Sequence, residues 1–322
     1  MRRAFLAFVL LFILVGVPIA VSPWYGWAGG DNRPPQSFEV KRGASLSSVA
    51  RDLESAGLVS SSGQFRMLAR FLGSDAPVQA GRYRLRAGTP WRDLLAVLQK
   101  GDVERFTVTI PEGWPSVLVA ERINAVPGLK GRAPVPAEGS ILPDTYEYQP
   151  GEDRAVLLKR MQTAMTKTLA ALWPKRTAAA VVKTPAEAIV LASIVEKETG
   201  KASERRLVAG VYSHRVRIGM RLDADPTLIY PITRGRPLGR RIRQSEKERD
   251  TGYNTYLKPG LPKGPIANPG RDSIMAVLDP QQTDALFFVA DGSGGHLFAR
   301  TLAEQNANRE SWFAMRRKRG EM

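Results

Sequence analysis

The sequence predicts a mixed α+β chain in three parts: an N-terminal transmembrane helix, a small α+β module and a larger mixed α+β domain. Three observations carry this. Ala4 to Val21 contains no charged or polar side chain. From residue 38 onward, short strand-like runs alternate with amphipathic helical ones. One segment, residues 185–198, has an apolar stretch facing every direction, which marks a helix inside a core. The expected parts are residues 1–28 (cytoplasmic tip and span), 29–37 (linker), 38–105 (module) and 106–322 (the domain carrying the chemistry).

The apolar run would span roughly 27 Å at 1.5 Å per residue, close to the ~30 Å hydrocarbon core of a bilayer. Arg2 and Arg3 precede it, and Trp24, Tyr25 and Trp27 follow as an interfacial aromatic belt would. The positive-inside rule then keeps the N-terminus in the cytoplasm and exports the rest. A cleaved signal peptide has the same charge order, but its apolar core is normally ~7–15 residues. Its best small-residue site here, Ala20-Val21-Ser22, runs into Pro23. Both readings export the chain.

Gly29 to Pro35 reads as a breaker-rich linker. Phe38-Glu39-Val40 is strand-like. Ser45 can cap a helix whose apolar positions are Leu46, Val49, Ala50 and Leu53, and Gly57 ends it. A second helix covers about Gln64 to Leu72, Gly81 to Leu85 alternates as a strand, and Trp91 to Gln99 is helical with Gly101 as its stop. This strand–helix–helix–strand order resembles a LysM module, a small fold that grips N-acetylglucosamine polymers. Further on, Phe106 to Ile110 is a strand, Asp153 to Leu172 a helix, and Leu286 to Ala290 a strand that turns at Asp291-Gly-Ser-Gly-Gly295 into His296-Leu297-Phe298.

Composition excludes several chemistries. Without cysteine there is no disulfide framework, thiolate nucleophile or Cys-bound zinc. His214 and His296 are the only histidines and show no metal-ligand spacing, so no metal and no cofactor are expected. No phosphate-binding glycine loop is present. The net charge of +16 favours an anionic partner. Arg234, Arg236, Arg240, Arg241, Arg243, Lys247 and Arg249 form one basic cluster and residues 316–319 another. Export argues against nucleic acid, so anionic lipid headgroups or cell-wall carboxylates are the expected partners of these loops.

The helix beginning at Thr184-Pro185-Ala186-Glu187 has a cap, a first-turn proline and a capping-box glutamate. Gly200 is a stop signal. Its C-terminal end is Glu196-Lys197-Glu198. A carboxyl at the end of a buried helix is desolvated, which raises its pKa and suits it to general-acid work. Helical geometry does not choose between Glu196 and Glu198, since both lie over apolar stripes. Tyr253, Asn254, Thr255 and Tyr256 offer hydroxyls and an amide in one loop, suited to stabilising positive charge. Asp225 and Thr227 could orient the acid or cap a helix.

An ordered series runs through the chain: Pro143-Asp144-Thr145-Tyr146; Ile194-Val195-Glu196-Lys197-Glu198-Thr199; Asp225-Pro226-Thr227; Tyr253 to Tyr256; Gly264-Pro265-Ile266-Ala267-Asn268-Pro269-Gly270; and Phe288 to Gly292 leading to His296. This series resembles the YceG-like family of endolytic murein transglycosylases over about Phe106 to Asn306. The resemblance implies cleavage of the bond between N-acetylmuramic acid and N-acetylglucosamine without water, leaving 1,6-anhydro ends. It places the family's acid on Glu196. The side chains themselves offer Asp144, Tyr146, Asp225, Thr227, Tyr253, Asn254, Thr255, Tyr256, Asn268 and His296 as candidate substrate contacts, with turns, caps and structural hydrogen bonds as the alternative roles. The resemblance further implies peptidoglycan glycan strands, peptidoglycan synthases and the division or elongation machinery as partners. The expected location is the inner membrane, with the catalytic domain periplasmic.

Overall fold

The computed structural model describes residues 12–26, 33–74 and 76–320. Part of the expected span, residues 4–11, and the expected belt residue Trp27 lie outside the described residues. Among the described residues no helix is long and apolar enough to cross a membrane. What is described of that region is a π-helical turn, Phe12–Gly16, running into α1 (Val17–Tyr25).

The chain divides into two compact units at Arg105/Phe106. In the first, β1 (Gln36–Val40) pairs antiparallel with β2 (Gly81–Leu85), from Gln36 opposite Leu85 to Val40 opposite Gly81. Between the strands run α2 (Leu46–Ser55) and α3 (Ser62–Leu72), and α4 (Trp91–Lys100) follows. The local signals act as read. The Ser45 hydroxyl accepts from the Ser48 N–H at 3.2 Å, and Gly101 takes the left-handed conformation that ends α4. Phe65, Tyr83, Leu53, Leu94 and Leu98 fill the core. Trp24 departs from its expected place in an aromatic belt. It is 3% exposed and belongs to this core, because α1 packs against α3 and α4.

The second unit carries two short antiparallel pairs. β3 (Phe106–Thr109) pairs with β4 (Thr145–Tyr148), and β5 (Phe287–Ala290) with β6 (His296–Ala299). The turn between β5 and β6 is closed by Asp291, whose Oδ1 accepts from the N–H groups of Ser293 and Gly295. The helices are α5 (Ser116–Asn124), α6 (Arg154–Leu172), α7 (Pro185–Glu198), α8 (Arg205–Arg217), α9 (Asp225–Thr233), α10 (Gln244–Lys247), α11 (Arg271–Leu278) and α12 (Leu302–Lys318).

α7 is the centre of this unit. Every residue from Ala188 to Val195 is buried, and α8, α9 and α11 all pack on it. Burying a side chain such as Leu191 or Ile194 contributes about 1.5–3 kcal/mol. Thr184 caps α7 by accepting from Glu187 N–H. The capping box, however, is displaced by one residue: the Glu187 carboxylate accepts from Lys183 N–H rather than from the cap residue. The helix ends at Thr199, whose backbone is extended, so Gly200 is not needed as a left-handed stop. The one hydroxyl in the buried stretch is used. Ser193 donates to Val190 O at 2.7 Å and accepts from Ile266 N–H at 3.0 Å, which fastens the Gly264–Gly270 loop to the helix.

Candidate active site

Residues two apart on an α-helix point about 200° away from each other. Glu196 and Glu198 therefore leave the end of α7 in opposite directions and meet different surroundings.

Glu196 enters an ion-pair network. Its Oε2 accepts from Gly270 N–H at 2.9 Å, and its Oε1 lies 3.8 Å from Arg205 Nη2. Only 7% of its side chain is exposed. The same guanidinium lies 3.8 Å from Glu112 and 3.5 Å from Asp272. Burial raises the Glu112 carboxyl above its ordinary value, and the neighbouring Glu196 charge adds to this. Gly113 and Gly270 allow the approach. A methyl at Gly270 would fall onto the Glu112 carboxylate, and one at Gly113 would press on Glu196 Cγ at 3.3 Å. One backbone N–H and one buried guanidinium thus hold the Glu196 side chain in place.

Glu198 is half-buried among groups that act on its proton. Desolvation raises its carboxyl to about 7, and the Asp225 charge adds to the rise. The Tyr212 hydroxyl, which hydrogen-bonds it, and the Arg215 guanidinium pull the other way. Tyr212 is buried at 2% exposure on α8. Asp225 opens α9 and is exposed, and its Oδ1 accepts from the Tyr256 hydroxyl at 2.5 Å. Arg215 is itself anchored by donating to the carbonyls of Leu286 and Leu222 at 2.6 and 2.7 Å. A half-buried carboxyl poised near neutrality beside an exposed carboxylate and two phenols is equipped to deliver a proton to a ligand.

Of the residues expected to touch substrate, the structure brings Asp225 and Tyr256 to Glu198. Several others are occupied as structural groups. Thr227 is fully buried. It donates to Ala224 O at 2.6 Å and shares a 2.9 Å hydrogen bond with Thr255, whose hydroxyl also accepts from Ala224 N–H. These two threonines stitch the start of α9 to the 253–256 loop and so hold Asp225 against Tyr256. Asn254 is spent on folding that loop, donating to Lys247 O and Arg249 O and accepting from Tyr256 N–H. Asn268 is fully buried. It donates to Trp114 O, Ser116 Oγ and Glu138 Oε1 and accepts from Ile141 N–H.

His296 Nδ1 contacts Glu204 Oε2 at 2.9 Å. Burial pushes the Glu204 carboxyl up, but hydrogen bonds from His296 and Lys201 outweigh it and hold the group below its ordinary value. The His296 ring packs edge-on against Phe288. Tyr146 donates to Leu142 O at 2.6 Å, and its phenol is pushed up to about 12, first by burial. Asp144 is exposed and closes its own turn by accepting from Thr145 N–H. The Tyr253 ring stands 4.9 Å from that of Tyr230. Tyr230 in turn hydrogen-bonds Glu138, whose carboxyl burial raises.

Residue-type reasoning did not find Tyr212, Arg215, Arg205, Glu138 or Tyr230. Tyr212 and Arg215 sit on one face of α8 three apart, a spacing that could have shown them. Glu138 lies in a Pro/Ala/Gly-rich loop with no periodic signal. Among the described residues no cluster of His, Asp and Glu could hold a metal ion.

The second unit is thus an α+β domain with a protonatable glutamate at the end of its most buried helix. Its sequence places it among relatives: the profile of the YceG-like family matches residues 38–311, and the chain belongs to that family. It is similar to the endolytic murein transglycosylase of Bacillus subtilis (strain 168), at 26% identity over 88% of this chain and 86% of that protein. It is also similar to the endolytic murein transglycosylase of Streptococcus pneumoniae serotype 2 (strain D39 / NCTC 7466), at 26% identity over 91% of this chain. There it spans 62% of the relative's length. The crystal structure of a YceG-like protein from Listeria monocytogenes shares the fold with a TM-score of 0.52 and 24% identity, over 86% of this chain and 99% of that one.

Proposed function

We propose that this chain is an endolytic lytic transglycosylase of peptidoglycan, with Glu198 as the general acid. The observation that carries the assignment is the Glu198 carboxyl, raised by desolvation to about 7 beside Asp225. Glu196, the residue expected from the resemblance, instead accepts from Gly270 N–H and lies 3.8 Å from Arg205, in a network shared with Glu112 and Asp272. Family membership and the names of the relatives support the substrate class.

In this reading Glu198 gives its proton to the oxygen joining N-acetylmuramic acid to N-acetylglucosamine, and the bond from that oxygen to C1 breaks. Positive charge builds on the sugar, and the Asp225 carboxylate, held by Tyr256, offers the opposing potential. Glu198, now a carboxylate, takes the proton of the C6 hydroxyl as that oxygen closes on C1. The acid is restored, no water is consumed, and a 1,6-anhydro end results. The intramolecular attack draws on effective concentration rather than on a second protein nucleophile.

The apolar run at the N-terminus supports a single-pass inner-membrane location with the second unit in the periplasm. Strands would then be met where they are made, and cutting would end their elongation alongside the synthases of the division or elongation machinery. The βααβ unit would grip the glycan as LysM modules do.

Isolated glycan strands incubated with wild type, Glu198→Gln and Glu196→Gln test the assignment. Wild type should release 1,6-anhydro ends, Glu198→Gln should lose at least about a hundredfold in rate, and folded Glu196→Gln should keep most of it. Loss confined to Glu196→Gln would reverse the assignment. Ends that accept borohydride would indicate hydrolysis, with Asp225 as the second carboxylate. Strand binding without release of ends would indicate a wall-binding scaffold.

A further inference from the structure

An open cavity of about 660 Å³ lies between α5, the 132–135 loop and the C-terminal end of α9. Arg132, Arg234 and Arg236 line it. Arg236 pairs with Glu121 on α5. Neither Arg132 nor Arg234 forms an ion pair with any described residue, and both are exposed. The wall beside them is apolar: Val135 is 55% exposed there, next to Pro134.

Arg234 is held in an unusual way. Its backbone is left-handed, at φ 55 and ψ 39, and its N–H ends α9 by donating to Tyr230 O at 2.8 Å. A glycine or asparagine suits that position at less cost, since a bulkier side chain there stores on the order of 1–2 kcal/mol. The chain nevertheless presents a guanidinium at this point. The cavity therefore offers two unsatisfied planar cations, matched to carboxylates, with an apolar wall suited to small methyl groups.

The cavity and the acid occupy opposite ends of one helix. Asp225, at the N-terminal end of α9, stands in the field of Glu198; Arg234 follows the last residue. Nine residues of helix measure about 13 Å. An extended peptide of four residues also reaches about 13 Å.

We propose that this cavity is a subsite for the peptide stem of the strand, a short peptide with at least two free carboxylates joined to the muramic acid whose bond is cut. This rests on the transglycosylase reading above. With the muramic acid at Glu198, the stem runs along α9 and places its distal carboxylates on Arg132 and Arg234, its alanine methyls against Val135 and Pro134.

Two measurements separate this proposal from the reading it rests on. The first compares the release of anhydro ends from peptide-bearing strands with release from strands stripped of stems by an amidase. Wild type should act about tenfold better, in kcat/KM, on the peptide-bearing strands, the difference that one good charge-assisted contact supplies. Arg132→Ala combined with Arg234→Gly should lose that preference and keep the stripped-strand rate. Glycine at 234 also relieves the left-handed backbone, so the variant should fold. The second measurement titrates the free tetrapeptide L-Ala-D-Glu-diaminopimelate-D-Ala into full-length wild type and into the double variant, with no cleavage required. Saturable binding lost in the variant supports the subsite. Equal wild-type rates on the two strands, an undiminished preference in the variant, or unchanged peptide binding would each overturn it. If no strand yields anhydro ends, the catalytic reading fails, and the titration still decides whether the cavity takes the peptide.

Discussion

The Tyr256 hydroxyl donates to the Asp225 carboxylate at 2.5 Å, joining the 253–256 loop to the first turn of α9. Thr227 and Thr255 fix this contact from below through a shared hydroxyl hydrogen bond. The negative charge beside Glu198 is thereby placed by packing rather than by chance.

That charge should be visible in a pH profile. Asp225 raises the Glu198 carboxyl, so Asp225→Asn removes a cause of the rise. Glu198 would then lose its proton at lower pH. The alkaline limb of activity, near pH 7 in wild type, should move to lower pH, while the larger rise from burial stays. Initial rates of anhydro-end release between pH 5 and 9 check this. A limb that stays in place would show that Asp225 does not act on the acid.

Stability carries the same signature with a defined sign. The folded Glu198 carboxyl titrates at about 7, above its ordinary 4.5. Between these values the unfolded chain has released a proton that the folded chain still holds, so stability falls as pH rises through that window. Glu198→Gln removes the titration. Relative to wild type it should gain about 3 kcal/mol from pH 4.5 to pH 8, measured as urea midpoints at the two pH values.

Asn268 is predicted to be a clamp rather than a ligand. Asn268→Ala would leave Ile141 N–H without its partner and take one donor each from Trp114 O, the Ser116 hydroxyl and the Glu138 carboxylate inside the unit. The expected cost is about 3 kcal/mol. Michaelis constants for the remaining folded protein should hardly change, whereas a substrate-binding role would raise them.

Trp24 gives a fourth test. Trp24→Ala would open a cavity in the core of the first unit, at a cost of about 3–5 kcal/mol. Amide hydrogen exchange along β1 and β2 should accelerate in full-length protein. A tryptophan serving only a membrane interface would leave those amides unchanged.

The elements were largely legible because their signals are local. Ser45, Thr184 and Gly101 act within one turn of themselves, and the β5–β6 hairpin is set by Asp291 and its glycines. The site was legible only where a side chain is left over after folding. Asp225 and Tyr256 are such groups. Thr227, Thr255, Asn254 and Asn268 have the same chemistry, but their partners are backbone groups that only the folded chain brings near. Glu196 and Glu198 read alike because their difference comes from Arg205 and Gly270 on one side and Tyr212 and Arg215 on the other. Trp24 read as interfacial because an aromatic after an apolar run looks the same whether lipid or a core covers it.

The Asn268 clamp also bears on when the site exists. It joins residue 268 to residues 116 and 141, across 152 and 127 positions of chain. Such distant pairings close late, after most of the chain entropy has been given up. A polypeptide still being synthesised cannot hold Trp114, Ser116 and Ile141 in register, because residue 268 has yet to arrive. Synthesis from the N-terminus therefore leaves this clamp open, and the 116–141 region unfastened, until residue 268 has been added.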